Sequence, residues 1–180
     1  MESTIRFSTY PKTEKPPHHS EAVVDLFRRH EAAIATLSLE KGLTSNRVMA
    51  VLADGLASLG FEVETGKRMD QRINRPVFFG ENGVPTLNYQ IDAYQPNWKA
   101  GLEIEAGRAW MGNAVYRDLI QAAVMVDVDF LYLAVPNCYR YMSSGRPMMS
   151  RDYSNTCDVA EALFGHSRLR LPYRLVVIGY

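Results

Sequence analysis

Two segments of alternating residues, 87–94 and 101–107, constrain the fold of this chain most. In LNYQIDAY and again in GLEIEAG, apolar residues occupy every second position. A period of two is typical of β-strands that bury one face. The residues between the segments include PNW, which is expected to reverse the chain. The sequence therefore predicts an antiparallel hairpin within a sheet.

The predicted hairpin brings acidic residues together. Asp92 and Glu103 lie symmetrically about the point between Asn97 and Trp98, so a tight reversal there pairs them across the two strands. Direct cross-strand partners have Cβ atoms about 4.5 to 5.5 Å apart. Glu105 follows on the same face as Glu103. Three carboxylates are thus expected to converge.

Such a group of acids needs compensation, because two ionised carboxylates about 5 Å apart repel by roughly 3 kcal/mol at an effective dielectric constant near 20. A shared proton, a cation such as Lys99 or Arg108, or a bound divalent metal would each provide it. Exposure to salt-screened solvent is the ordinary alternative. The following helix and apolar strand indicate a covered hairpin, which favours the metal. All-oxygen ligands suit Mg²⁺ or Mn²⁺ rather than zinc.

The other elements surround this hairpin. Helical spacing is found at about residues 20–40, 45–60, 113–126 and 155–165. Strand patterns occur at 61–65, 75–79, 130–136 and 173–180. Residues 1–19 are expected to be an extended lead-in to a single domain, 20–180, and residues 137–155 a long polar connection. This order predicts an α/β fold with a central mixed sheet flanked by helices on both faces.

Length and composition limit the classes of protein. A chain of 180 residues with 47% hydrophobic and 22% charged residues is expected to fold as one domain. Twenty basic and twenty acidic residues cancel, so no global field steers the protein to nucleic acid. The sequence lacks an apolar run long enough for a membrane helix and lacks a secretion signal at its start, which predicts a cytoplasmic protein without a membrane partner. Cys138 and Cys157 are expected to be free thiols.

Asp92, ten intervening residues and then Glu103-Ile104-Glu105 resemble the core motif of the PD-(D/E)XK nuclease superfamily. The order of elements from about residue 45 to 136 is similar to the core of that family. The resemblance implies a restriction-endonuclease-like α/β/α sandwich. It also implies a nuclease that hydrolyses phosphodiester bonds with Mg²⁺ or Mn²⁺, most typically a DNA endonuclease of restriction type.

The resemblance also assigns roles to residues. Asp92 and Glu103 would hold the metal, Ile104 would contribute its backbone carbonyl, and Glu105 would occupy the position that is usually lysine. Some restriction enzymes carry glutamate at that position, where it would bind the metal or orient water. Ile91 departs from the proline in the family name, at a position that varies.

Residues outside the motif are also candidates for the site. Arg117 and Gln121 are spaced i, i+4 on the next helix and would position a phosphate, with a solvated helix face as the alternative. Asn113 is expected to be an N-cap and Tyr116 a packing aromatic. Glu31 would reach the metal from the first helix, as an acid does in some relatives, but a surface glutamate is the favoured interpretation.

Contact with DNA would have to come from local segments rich in arginine and tyrosine. These residues are Lys67, Arg68, Arg72 and Arg75, and Arg140, Arg146 and Arg151 with Tyr139, Tyr141 and Tyr153. Ordinary polar loops have the same composition. The resemblance to restriction enzymes is compatible with a homodimer, because two active sites are the simplest way to cut two strands.

Two other functions are compatible with the sequence. The zero net charge and the missing lysine fit a catalytically inactive nuclease-fold protein that binds nucleic acid or another protein. A glycoside hydrolase is compatible with two carboxylates about 5 Å apart. It would need an aromatic sugar cleft, for which Trp98 and Trp110 are the only tryptophans.

Overall fold

The structure is a computed structural model that describes residues 2–39, 42–66, 68–107 and 113–180. Its α-helices within these ranges are α1 (Ser20–Arg29), α2 (Glu31–Ile34), α3 (Ser45–Ser58), α4 (Ala114–Val124) and α5 (Asp152–Gly165). Its first strands are β1 (Arg6–Tyr10), β2 (Glu62–Val63), β3 (Ile73–Phe79), β4 (Pro85–Ile91) and β5 (Ala93–Gln95). The remaining strands are β6 (Ala100–Ile104), β7 (Phe130–Val135), β8 (Tyr139–Ser143), β9 (Arg146–Ser150) and β10 (Arg174–Gly179).

Six strands form one mixed sheet in the order β1-β10-β7-β6-β5-β2. The central neighbours β10, β7 and β6 are parallel, whereas β1, β5 and β2 pair antiparallel with their neighbours. The strands β3 and β4 form a separate two-stranded ribbon, as do β8 and β9. The connection from β6 through α4 to β7 is the strand-helix-strand crossover that parallel neighbours require.

Helices cover both faces of the sheet. Alternate residues of β7 pack in opposite directions: Tyr132 and Ala134 join the core beneath α1, α2 and α3, and Leu131 and Leu133 join the core beneath α4 and α5. All four of these side chains have no measurable exposure, which is why the segment reads as one continuous apolar run. The predicted α/β fold with a central mixed sheet between helices is therefore confirmed.

The predicted register of the hairpin is also confirmed. Ala93 pairs with Leu102, Tyr94 with Gly101 and Gln95 with Ala100. Continuing this register by one pair places Asp92 opposite Glu103. The reversal between β5 and β6 contains Lys99 in a left-handed conformation with φ 49°.

The prediction of one strand over residues 87–94 is wrong. The chain bends at Asp92, which ends β4 and begins β5. Ile91 and Tyr94, expected on opposite faces, consequently pack in the same core. On the N-terminal side of the bend, β4 is not part of the main sheet and pairs with β3 instead. The β3–β4 ribbon therefore lies beside the main sheet.

Three other segments differ from the predictions. Residues 1–19 contain β1, which pairs with β10 at the edge of the main sheet. The helix expected over residues 20–40 is two short helices, α1 and α2, with His30 between them. The connection expected over 137–155 contains the β8–β9 ribbon and the start of α5.

Two further predictions concern the cysteines and membrane helices. Both Cys138 and Cys157 are free thiols, as expected. Across the described ranges, the helices are too short or too polar to cross a bilayer.

Candidate active site

The bend at Asp92 is held by hydrogen bonds on both of its sides. The backbone N–H of Ile104 donates to Oδ2 of Asp92 over 2.8 Å, and the N–H of Glu64 donates to the Asp92 carbonyl, also over 2.8 Å. The Ile104 N–H thus donates to a side-chain carboxylate instead of to a backbone carbonyl of the neighbouring strand. Because the N–H and C=O of one strand residue point to the same edge, the Ile104 carbonyl also faces this edge.

Asp92 and Glu103 form the first of two carboxyl pairs. Burial raises the pKa of Asp92 to about 6, although the hydrogen bond from Ile104 opposes the shift. Burial and the charge of Asp92 raise the pKa of Glu103 well above its ordinary value. The raised pKa favours the protonated form of Glu103, in which it donates a hydrogen bond to the Asp92 carboxylate.

Glu105 and Asp118 form the second pair. Burial raises the pKa of Glu105 to about 8, and the adjacent Asp118 carboxyl adds to the shift. Arg117 bridges this pair, with guanidinium contacts of 2.9 Å to Glu105 Oε1 and 2.9 Å to Asp118 Oδ1. In the described part of the chain, Asp118 Oδ2 receives no hydrogen bond from a protein donor. A protonated Glu105 would be a donor to the Asp118 carboxyl group.

Asp118 was not among the residues singled out from the sequence. Its residue exposure is only 2%, and it lies on the same helix face as Val115, Leu119 and Ala122, which are fully or almost fully buried. Asp118 lies three residues after Val115 and four residues before Ala122, so it interrupts the apolar stripe of α4. That interruption was the available signal, because an acid on the covered face of a helix is not expected without a partner.

A pocket of about 390 Å³ opens onto these acids. The acid side is lined by Asp92, Glu103 and Asp118 together with Glu64, and the helix side by Arg117 and Gln121. The opposite wall comes from β4 and contains Asn88, Tyr89, Gln90 and Ile91. The structure therefore brings together the predicted Asp92, Glu103, Arg117 and Gln121 around one cavity, and Glu105 contacts it through Arg117.

The donor set fits a hard divalent cation. Within the described ranges, no three His, Cys, Asp or Glu side chains are placed to share one ion. Magnesium does not require such a set, because it is commonly held by one or two carboxylates with water and substrate oxygens completing its shell. Asp92, Glu103 and the Ile104 carbonyl match this requirement, whereas Glu105 is engaged with Asp118 and Arg117.

Other predicted contributors lie elsewhere. Lys99 pairs with Asp129 at 3.5 Å and does not compensate the acids. The Glu31 carboxylate accepts hydrogen bonds from Ser3 and Thr4, which lower its pKa. These bonds hold its side chain against the N-terminal segment. Arg108, Lys67 and Trp110 lie outside the described residues.

The predictions at the start of α4 were partly wrong. Asn113 precedes α4, but its left-handed backbone (φ 56°) is not accompanied by a side-chain capping bond. Tyr116, which was expected to be a packing aromatic, is 42% exposed.

Several of the arginines and tyrosines suggested for DNA contact have structural roles. Arg75 pairs with Asp127 at 2.8 Å and lies 3.8 Å from the centre of the Tyr94 ring. Arg140 donates to two backbone carbonyls that follow α2. Tyr153 is 8% exposed. Arg68, Arg146 and Arg151 are exposed at the surface.

Comparison with solved structures finds a restriction endonuclease. The chain superposes on BglII bound to a DNA 16-mer with a TM-score of 0.52 and 10% sequence identity, covering 97% of this chain and 77% of that one. Searches against protein-family models and curated proteins find no match. At this identity the likeness shows the fold alone: the chain has a restriction-endonuclease-like α/β fold.

Proposed function

We infer that this protein is a divalent-metal-dependent nuclease that hydrolyses phosphodiester bonds of DNA. The observation that carries the proposal is that Asp92 and Glu103, the two acids of the nuclease-like motif, lie side by side and line one polar pocket. The similarity of the fold to a DNA-bound restriction endonuclease supports the choice of DNA.

Each residue of the pocket has a chemical role in this proposal. Asp92, Glu103 and the Ile104 carbonyl would hold Mg²⁺ or Mn²⁺, which would lower the pKa of a bound water and neutralise charge on the phosphate. Binding requires Glu103 to lose its proton, so a cation replaces the proton of this pair. The Arg117 guanidinium, with its side chain 57% exposed, is available to a phosphate oxygen. Gln121 lies one helical turn further along the same wall.

Glu105 stands where a lysine would usually orient the attacking water. With its pKa raised to about 8, Glu105 carries a proton at neutral pH and is held by Arg117 and Asp118. Its single proton is directed to Asp118, so Glu105 would orient the attacking water as a hydrogen-bond acceptor. This is how glutamate would substitute at the position.

The first experiment measures cleavage of supercoiled plasmid with Mg²⁺ or Mn²⁺. Asp92→Asn and Glu103→Gln should each reduce the rate at least about 100-fold, because a bound cation contributes several kcal/mol of transition-state stabilisation. Asp158→Asn, which removes an exposed acid of α5, is the matched control and should cleave like the wild type. Equal cleavage by the wild type and both site variants would exclude the proposal.

One observation favours a second function, a nuclease-fold protein that binds DNA or protein without cleaving. Glu105 is tied to Arg117 and Asp118, and within the described residues no third acid is placed to share an ion with Asp92 and Glu103. Titration calorimetry with Mn²⁺ distinguishes the two functions. A nuclease should show a site that Asp92→Asn removes, whereas a binding protein should show none.

A further inference from the structure

The β3–β4 ribbon has a row of amide side chains on one face. Asn74 lies directly opposite Gln90, and Pro76 lies opposite Asn88. Cross-strand partners share a face of the ribbon. The three amides are exposed, so this face is polar and open to solvent.

The other face of the ribbon packs against the protein near the bend, whereas Phe78 and Leu87 nearer the turn are exposed. Ile73 and Tyr89 contact the core beneath α4 and α5, and Ile91 is buried in it. Val77 is 6% exposed, and the Pro76 carbonyl accepts a hydrogen bond from Val126 just after α4. The ribbon is therefore anchored on one side and presents the amides on the other.

The amide row and the acids belong to one cavity. Asn88 and Gln90 line the same pocket as Asp92 and Glu103. Neither strand of the ribbon contains an acidic residue, as INRPVFF and PTLNYQI show, and β3 contributes one arginine. A polyanion that reaches the acids can therefore lie along the ribbon without repulsion from it.

A two-stranded ribbon is an element that the major groove of DNA can admit. Each strand has seven residues, and the major groove, about 12 Å wide, admits a two-stranded β-ribbon. Asparagine and glutamine recognise adenine there, since a carboxamide donates to N7 and accepts from N6 at the same time. Arg72 donates to Oε1 of Gln90 over 2.8 Å, which orients this amide and leaves the second lone pair of its oxygen for a base.

We propose that the amide face of the β3–β4 ribbon reads adenine-containing sequences in the major groove of duplex DNA, with Asn88 and Gln90 as the specificity-determining residues. This inference rests on the proposed function, because it assigns the substrate class of the same site. It does not require the phosphodiester bond to be cut.

The test is selection from a pool of random DNA duplexes by the purified protein with Ca²⁺, followed by sequencing of the bound fraction. The wild type should enrich a motif that contains adenine. Asn88→Ala and Gln90→Ala should each reduce the preference for adenine at one position of the motif by on the order of 10- to 100-fold. This is the discrimination that one bidentate contact provides. Asn82→Gly is the control, since it removes an amide at the turn of the same hairpin where φ is 57°.

The results separate the two proposals. Enrichment that the ribbon variants abolish supports the inference even if no cleavage is detected, in which case only the nuclease proposal fails. The inference is overturned if the wild type retains no DNA or enriches no motif. It is also overturned if both variants, with melting temperatures like the wild type, enrich the same motif as the wild type. The melting temperature of each variant checks its fold. We expect it to equal that of the wild type, because all three changed side chains are exposed.

Discussion

Asp92 shows how one residue creates the candidate site. Its carboxylate accepts the Ile104 N–H, its carbonyl accepts the Glu64 N–H, and its position ends one strand and begins another. The bend therefore redirects β4 and, at the same time, fixes a carboxylate beside Glu103. Asparagine preserves the acceptor for Ile104 but removes the charge, which is why Asp92→Asn tests chemistry rather than folding.

Glu103 provides a stability test in the absence of metal. The folded protein keeps its proton while the unfolded chain releases it above the ordinary glutamate pKa, so the folded state binds more protons and stability falls as pH rises. Glu103→Gln imitates the protonated form. In EDTA the free energy of unfolding of Glu103→Gln should rise relative to that of the wild type by up to about 1.4 kcal/mol for each pH unit above 5.

Urea denaturation between pH 5 and 8 measures this gain, with Asp158→Asn as the control that should show no such trend. A pH-independent difference between Glu103→Gln and the wild type would contradict the assignment of a shared proton. Added Mn²⁺ should stabilise the wild type more than the variant, since only the wild type has the second carboxylate for the ion.

At the scale of elements, α1 is attached to the sheet through a buried histidine. His19, just before α1, is 3% exposed, and its Nδ1 contacts the Tyr132 hydroxyl of β7. Its ring stacks on Trp98 with centroids 4.7 Å apart and has an edge contact with Phe130. Burial lowers the pKa of His19 to about 4.

This attachment predicts loss of stability in acid. The unfolded chain protonates His19 below about pH 6.5 while the folded protein does not, so stability falls as pH drops from about 6.5 to about 4. His19→Gln keeps a polar contact for Tyr132 without a titrating group. The wild type should lose several degrees of melting temperature relative to His19→Gln over this range, and parallel curves for the two proteins would contradict the prediction.

The elements that the sequence predicted well are those with a strong hydrophobic period. The apolar run of β7, the stripe of α3 and the register of β5 with β6 follow from local pattern alone. β1 was missed because it is an edge strand with only Tyr10 buried, and its pairing with β10 joins opposite ends of the chain. β8 and β9 were missed because every residue in them is exposed or only partly covered, so burial leaves no alternation.

The site was predicted in part for the same reason. Asp92 and Glu103 follow from strand register, which is local. The bend at Asp92 depends on the side-chain bond to Ile104, and the pairing of Glu105 with Asp118 depends on where α4 packs. Neither contact is encoded by spacing within one segment.

At the scale of the whole molecule, a zero net charge and an anchored ribbon imply short-range recognition. The charges give no long-range attraction to a polyanion, so affinity must come from contacts made at the surface of the ribbon and the pocket. Arg68, Arg72 and Arg117 are cations near these surfaces that are exposed or partly exposed.

The chain runs without interruption from the amide row through the bend to the acids. Asn88 and Gln90 precede Asp92 by four and two residues, a path of roughly 7 to 13 Å along a strand. Base pairs are stacked about 3.4 Å apart, so under the two proposals the scissile bond should lie about two to four base pairs from the bases that are read. End-mapping of the cleavage products should show this constant offset, whereas cuts at scattered or distant positions would contradict it. The backbone of one strand would then act as a ruler between reading and cutting.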